Sequence, residues 1–256
     1  METHFLYKSS GEGDPFHFQH GLGSNLAQPQ GLLAGLQGMR LISMDCPGHG
    51  TAPLAPSIRP SFAYYADQLI QLMDQLEIPE AVFGGISMGA GISTYLAIHH
   101  PERVSGLVLV RPAWLDEGSP ENLKILLTAA DYIEAAKDVE GFKQESEFQT
   151  IHEHVPNAAK SVLGVFADTQ RPEIATVLRA MVEDHPFDDI NFLDKISVPT
   201  LVIGNEDDPL HPYSMAEAVH KHIPNSHIQK VISRYIDDAQ HRQTVHKIVS
   251  KFIDNL

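Results

Sequence analysis

A serine between two glycines is the clearest candidate for chemistry in this sequence. The run GISMG at 85–89 follows the apolar run at 81–86, which predicts a strand, and overlaps the predicted helix at 87–100. Small residues are needed at both glycine positions because the chain must turn sharply there, and larger side chains would collide with neighbouring backbone. Ser87 would then project from the turn with its hydroxyl exposed, which predicts a nucleophile.

A serine nucleophile needs a base, and a carboxylate that orients the base, further along the chain. The acidic cluster EDD at 206–208 follows the apolar run PTLVIG at 199–204, so a carboxylate is available where a strand should end. Asp208 is favoured because it precedes Pro209, whose ring restricts the conformation of the residue before it. Asp207 remains the close competitor.

Fifteen histidines must be narrowed to one base. His241 falls on the same face of the last predicted helix as the apolar residues at 245, 248, 249 and 252, and it should therefore point inward. By the same count His246 should face water or the margin of the helix. By helix phase alone, His241 is either the base or a buried histidine of the core.

A glycine-rich turn lies upstream, where HGLGSN at 20–25 follows the apolar run at 16–18. Attack on an ester carbonyl creates an oxyanion, and its stabilisation needs N–H donors that are already oriented. A tight turn at a strand end can supply such a donor. An ordinary strand-to-helix turn would have the same sequence character.

The elements that must position these residues alternate along the chain. Apolar runs at 16–18, 40–45, 81–86, 104–110 and 199–204 are separated by helical patterns such as the apolar stripe within 61–76. This alternation predicts an α/β fold with a mostly parallel central sheet flanked by helices. We divide the chain into a first core part at 1–112, an insertion at 113–190 and a second core part at 191–256.

The insertion departs from the alternation. Its helical patterns at 121–137, 158–167 and 173–183 occupy a connection far longer than the usual link between sheet strands, so we expect a helical cap. Arg111 and Trp114 follow the strand that ends at 110, at the sheet edge where ligands bind in such folds. Two roles fit them equally: they line a substrate pocket, or they anchor the cap.

The composition limits the partners. The chain has 256 residues, 43% of them hydrophobic, and a formal charge of −15, which would repel phosphate backbones and anionic lipid headgroups. We expect a small-molecule substrate and neither a nucleic-acid nor a membrane partner; the sequence gives no indication of the oligomeric state. One cysteine, no signal peptide and no long apolar segment favour a cytoplasmic protein. His152-Glu153-His154 lacks the spacing of a zinc motif, so no metal and no cofactor are expected.

Four motifs together resemble the α/β-hydrolase superfamily: HGLGSN at 20–25, DCPGHG at 45–50, GISMG at 85–89 and LVIGNEDDP at 201–209. The resemblance spans the chain apart from 113–195, and it implies that the backbone N–H groups of Leu22 and Met88 form an oxyanion hole. It also implies that Asp208 is the acid, and His241, at the start of the last helix, the base.

The resemblance implies a serine hydrolase that forms an acyl-enzyme, with carboxylesterase as the first choice. Lactonase, C–C bond hydrolase and perhydrolase chemistry would use the same triad. A small-molecule receptor that turns over slowly, or a scaffold without catalysis, are the alternatives of a different class. The motifs indicate the fold and the class of reaction more specifically than they indicate the substrate.

Overall fold

The computed structural model describes residues 5–166 and 173–256. Among these residues the central sheet has seven strands in the order β1-β3-β2-β4-β5-β6-β7, and only the edge strand β1 runs antiparallel to its neighbour. The strands are β1 (Tyr7–Ser10), β2 (Asp14–Gln19), β3 (Met39–Met44), β4 (Ala81–Ile86), β5 (Val104–Val110), β6 (Thr200–Asn205) and β7 (Ser226–Val231).

The described α-helices cover both faces of this sheet and fill the connection between β5 and β6. They are α1 (Ala27–Leu32), α2 (Phe62–Gln75), α3 (Met88–His99), α4 (Lys124–Glu134), α5 (Val139–Phe142), α6 (Ser146–His154), α7 (Pro156–Leu163), α8 (Ile174–Glu183), α9 (Tyr213–His222) and α10 (Asp238–Ile253). Short 3₁₀ helices lie at Pro101–Arg103, Glu121–Leu123, Gly164–Phe166 and Ile190–Lys195.

Alternate residues of the central strands supply two separate apolar layers. In β5, Leu107 and Leu109 join the layer that contains α2, α3 and α9, whereas Val108 and Val110 join the layer that contains residues of α1 and α10. Because successive side chains of a strand point to opposite faces, a strand buried on both faces reads as a continuous apolar run. This explains why β5 and its neighbours are conspicuous in the sequence.

The predicted α/β architecture is confirmed, and all five predicted strands are present. The edge strands β1 and β7 were not predicted, because much of each is exposed and polar and no apolar run marks it. The last helix begins at Asp238 rather than near His241. The side chain of Asp237 accepts a hydrogen bond from the backbone N–H of Gln240 and so caps the helix earlier.

The connection between β5 and β6 contains α4 to α8, in agreement with the helical patterns at 121–137 and 173–183. The pattern at 158–167 corresponds to α7 and the 3₁₀ turn after it, and its final position, 167, lies outside the described residues. In the described ranges, no helix is long and apolar enough to cross a membrane.

Candidate active site

Ser87 lies in a strained turn between β4 and α3. Its φ of 56° and ψ of −110° are unusual for a residue with a side chain, and its backbone N–H donates to Val110 O at 2.9 Å. A side chain at Gly85 would overlap the backbone of Gly89, and one at Gly89 would overlap the carbonyl of Gln19. The two glycines therefore allow the packing that fixes Ser87 at the carboxyl edge of the sheet.

The imidazole in contact with Ser87 belongs to His211. Its Nε2 lies 2.8 Å from Ser87 Oγ, and its Nδ1 lies 2.9 Å from Asp208 Oδ1. In the neutral tautomer with a proton on Nδ1, the ring donates to Asp208 and accepts from the serine hydroxyl. The three side chains thus form a continuous serine–histidine–aspartate chain of hydrogen bonds.

Asp208 is held in this chain by the turn that follows β6. Its Oδ1 also accepts from the backbone N–H groups of Leu210 and His211, and its Oδ2 accepts from Arg111 Nη1 at 3.1 Å. The neighbouring Asp207 has a φ of 54° and is exposed. Of the two aspartates that the sequence left open, the structure therefore brings Asp208 to the histidine.

The predicted position of His241 next to Ser87 is wrong. His241 is buried, as its helix phase predicted, but its Nδ1 lies 2.7 Å from Ile232 O, at the start of α10. The helix phase indicates which face of α10 is buried, but it does not indicate which neighbour that face meets. His246 is only partly buried, and its Nε2 lies 3.0 Å from Ala34 O.

A local signal for His211 was present in the sequence. Asp208-Pro209-Leu210-His211-Pro212 places an acid and an imidazole three residues apart in a segment shaped by two prolines. Such a turn can fold an aspartate side chain onto the backbone N–H groups and the ring that follow it. The sequence analysis searched for the base only in the last helix, and so missed it.

Burial and neighbouring charges set the protonation states at this site. Burial would raise the pKa of Asp208, but the contacts with His211 and with the Arg111 guanidinium hold it well below its usual range. Burial lowers the pKa of His211 below its ordinary value of 6.5, and the charge of Arg111 adds to this effect while Asp208 opposes it. Near neutral pH the pair is therefore a carboxylate beside a neutral imidazole that can accept a proton.

Arg111 and Trp114 both border the Ser87 cavity. Arg111 has a φ of 51°, is almost fully buried, and pairs with Asp208, so its guanidinium belongs to the hydrogen-bonded site itself. Trp114 Nε1 donates to Met181 O in α8 at 3.0 Å, which ties the end of β5 to the helical connection. Trp114 therefore borders the cavity and is hydrogen-bonded to the helical connection.

The cavity beside Ser87 has a volume of about 90 Å³. Leu22, His211 and Tyr235 border it from the core part of the chain, and apolar residues of the helical connection border it from the other side. The latter are Leu123, Leu126, Val162, Val165 and Leu178. The space is small, and polar and apolar groups line it in similar measure, with the polar groups gathered near Ser87 and His211.

The turn at 20–25 packs against the nucleophile. A side chain at Gly21 would contact Ser87 Cβ, and the backbone N–H of Gly21 donates to Gln28 Oε1 at 2.8 Å. Leu22 borders the cavity, and Met88 is the first residue of α3, where backbone N–H groups have no acceptor within the helix. Within residues 5–166 and 173–256, no group of three His, Cys, Asp or Glu side chains could hold a metal ion.

Residues 14–241 match the family model described as the alpha/beta hydrolase fold, so the chain belongs to this family. The resemblance inferred from the four motifs is thereby confirmed, and membership supports hydrolase activity.

The chain is also similar to curated relatives and to solved structures. The chain is 27% identical over 260 residues to 3-oxoadipate enol-lactonase 2 of Acinetobacter baylyi, covering 95% of this chain and 90% of the relative. It is 29% identical over 219 residues to the pimeloyl-[acyl-carrier protein] methyl ester esterase of Neisseria meningitidis, covering 82% and 80%. The enol-lactonase structure from Burkholderia xenovorans superimposes with a TM-score of 0.76 at 23% identity, covering 98% and 96%.

Proposed function

We propose that the protein is a serine hydrolase that cleaves a carboxylic ester through an acyl-enzyme, with Ser87 as nucleophile, His211 as base and Asp208 as orienting acid. The observation that supports this most strongly is the pair of contacts made by His211, at 2.8 Å to Ser87 Oγ and 2.9 Å to Asp208 Oδ1. Both distances suit direct proton transfer by one imidazole.

In the proposed reaction, His211 Nε2 takes the hydroxyl proton while Ser87 Oγ attacks the ester carbonyl carbon. Collapse of the tetrahedral intermediate breaks the ester bond, and the imidazolium returns the proton to the departing alkoxide. Water then gives a proton to the same imidazole and attacks the acyl-enzyme carbonyl. Collapse of this second intermediate breaks the bond to Ser87 Oγ, which takes the proton back, and releases the carboxylic acid. The chain of steps needs no cofactor and no metal.

The backbone N–H groups of Leu22 and Met88 are the proposed donors to the oxyanion. The turn that contains Leu22 packs on Ser87, and Met88 opens the helix that follows it, so both amides belong to elements fixed near the nucleophile. Donors that need no reorganisation stabilise the developing charge. The helical connection at 113–190 is the proposed cap, because its apolar side chains border the cavity beside Ser87.

Replacement of Ser87 tests the proposal. We expect Ser87→Ala to lose both the turnover of p-nitrophenyl esters and labelling by a fluorophosphonate, while the melting temperature stays near that of the parent. A folded Ser87→Ala protein with parental turnover would contradict the nucleophile assignment. A parent protein that is labelled once but does not turn over would instead favour the slow receptor.

A lactone is the second candidate substrate, because two of the relatives in sequence and one in structure are named enol-lactonases. The same attack opens a cyclic ester: the alkoxide takes the proton from the imidazolium and stays tethered to the acyl group, so water releases a single hydroxy acid from Ser87. Comparing kcat/KM on a lactone and on the matching open-chain methyl ester would distinguish the two. C–C bond hydrolase and perhydrolase chemistry have no separate observation in their favour.

A further inference from the structure

A second cavity adjoins the Ser87 cavity and is four times larger, with a volume of about 360 Å³ against about 90 Å³. The two cavities share four bordering residues: Gln28, Ile86, Arg111 and Arg234. These residues form a common wall, and a substrate whose ester lies at Ser87 would have to pass between them to reach the second cavity. None of the steps of the proposed reaction uses that space.

Cationic side chains are concentrated around this second cavity, although the chain as a whole has a formal charge of −15. Arg111, Arg234 and Arg242 border it, and Asp238 is the acidic residue in the same wall. Burial lowers the pKa of His241, which also borders it, to about 4, so this imidazole is neutral near pH 7. The local excess of positive charge therefore comes from the arginines.

The three guanidinium groups differ in the contacts that they make with other residues of the protein. Arg111 is buried against Asp208, and Arg242 donates to Gly31 O at 3.0 Å. The Nε of Arg234 lies 3.7 Å from Asp238 Oδ1, beyond hydrogen-bonding distance, and both side chains are partly exposed. Arg234 also lies over the ring of Tyr235, and of the three guanidinium groups it is the one that makes no hydrogen bond to a described residue.

Arg234 also stands between the two cavities, since it borders both. Its charge contributes to lowering the pKa values of both His211 and His241, which is consistent with a position near each ring. Gln28 is a second donor at the same junction: its Oε1 accepts from Gly21 N, which leaves its amide nitrogen for a ligand. A guanidinium and an amide together match the oxygen atoms of a carboxylate.

We infer that the second cavity binds a carboxylate of the substrate through Arg234 and Gln28, so that the enzyme prefers esters with a free carboxylate remote from the scissile bond. A monoanion fits better than a phosphate dianion because Asp238 lies in the same wall. The inference rests on the proposed function, since it names the class of ester that Ser87 would attack.

Esters that differ only in this charge test the inference. We would measure kcat/KM for p-nitrophenyl monoesters of straight-chain dicarboxylic acids of increasing length, each against the diester with its remote carboxylate methylated. We expect the anionic ester to be preferred by about tenfold or more at one length, as one charge-assisted contact allows. Arg234→Gln should reduce this ratio by about the same factor, and Arg234→Lys should retain part of it.

Arg59→Gln is the matched control, because it removes the same charge from a side chain that pairs with Glu183 at the surface and borders neither cavity. It should leave the ratio of anionic to neutral ester unchanged. Equal use of both esters at every length, or a ratio that Arg234→Gln does not alter, would overturn the inference while leaving the proposed hydrolase intact.

A binding measurement tests the inference even if the protein hydrolyses no ester. The absence of hydrolysis would contradict the proposed function alone. The Ser87→Ala protein should bind straight-chain monomethyl dicarboxylates in a calorimeter, and the added Arg234→Gln change should weaken that binding by about tenfold. Equal affinity with and without Arg234, or no binding at any chain length, would rule out the carboxylate site.

Discussion

Two buried histidines, one in the turn after β6 and one at the start of α10, differ in what surrounds them. His211 joins a carboxylate to a serine hydroxyl, whereas the Nδ1 of His241 meets the backbone carbonyl of Ile232. Both are less than a tenth exposed, so burial does not separate them. The comparison shows that a base is defined by the partners on its two nitrogens, which helix phase cannot supply.

Replacing each histidine in turn should give the largest contrast. His211→Ala removes the only described imidazole in contact with Ser87, and we expect kcat to fall by about 10⁴-fold or more. His241→Ala should keep kcat/KM for a small neutral ester within about tenfold of the parent, after correction for the folded fraction. Initial rates on p-nitrophenyl acetate check both, and the reverse pattern would return the role to His241.

The aspartates sharpen the same contrast. Asp208→Asn should lower kcat by a factor on the order of 10⁴, because an amide can no longer hold the imidazole in the productive tautomer. Asp207→Asn should stay within about tenfold of the parent, since its side chain is exposed. The two kcat/KM values on one ester are the measurement, and a severe loss confined to Asp207→Asn would contradict the hydrogen-bonded chain described above.

His241 should influence the free energy of unfolding, whereas His211 should influence catalysis. Its pKa is about 4 in the folded protein against an ordinary 6.5, so between these pH values the unfolded chain binds a proton that the folded chain does not. The contribution of His241 is therefore complete above pH 6.5 and is lost as the pH falls towards 4, by up to about 3 kcal/mol.

His241→Gln removes this titration but keeps an N–H donor for Ile232 O. Urea unfolding at several pH values should show a shallower loss of the free energy of unfolding in the variant between pH 6.5 and 4. Taking the difference between the two proteins removes the contribution of other groups that titrate in this range. Parallel curves for parent and variant would contradict the burial effect.

Replacement of Arg111 should give the smallest of these effects, a change in the pH dependence of activity. Only neutral His211 accepts the serine proton, so kcat/KM should rise with pH and reach half its plateau below 6.5. Arg111→Met removes a positive charge that lowers the pKa of His211, so the rise should move to higher pH.

The measurement is kcat/KM against pH, normalised to the plateau, so that a loss of overall activity does not hide the shift. Arg59→Met is the control, because its charge lies at the surface beside Glu183. An unchanged midpoint in Arg111→Met, or a shift to lower pH, would show that Arg111 does not tune the base.

The fold was predictable because buried parallel strands such as β4 and β5 are continuous apolar runs, and helical patterns such as the apolar stripe of α2 separate the strands. The edge strands were not predicted because only part of each is buried. In β7, Ser226 and Lys230 are exposed or partly exposed. A mixture of polar and apolar residues of this kind also occurs in turns. The sequence therefore predicts the centre of the sheet better than its margins.

The site was predictable where a local pattern fixes it. Ser87 follows from glycines that a tight turn requires, and Asp208 was favoured over Asp207 by the proline that follows it. The histidine was missed although it lies three residues from Asp208, because that spacing does not show which loop reaches Ser87 across 124 residues of sequence. Arg234 was missed for a related reason: its position at the junction of two cavities depends on the packing of β7 and α10.

The close spacing of Asp208 and His211 has a consequence for how the site assembles during folding. A contact between residues three positions apart closes a very short loop, and its entropic penalty is small compared with that of a long loop. Once β6 and its following turn have formed, acid and base are already joined. Completing the site then requires one long-range encounter, with Ser87, rather than two independent ones.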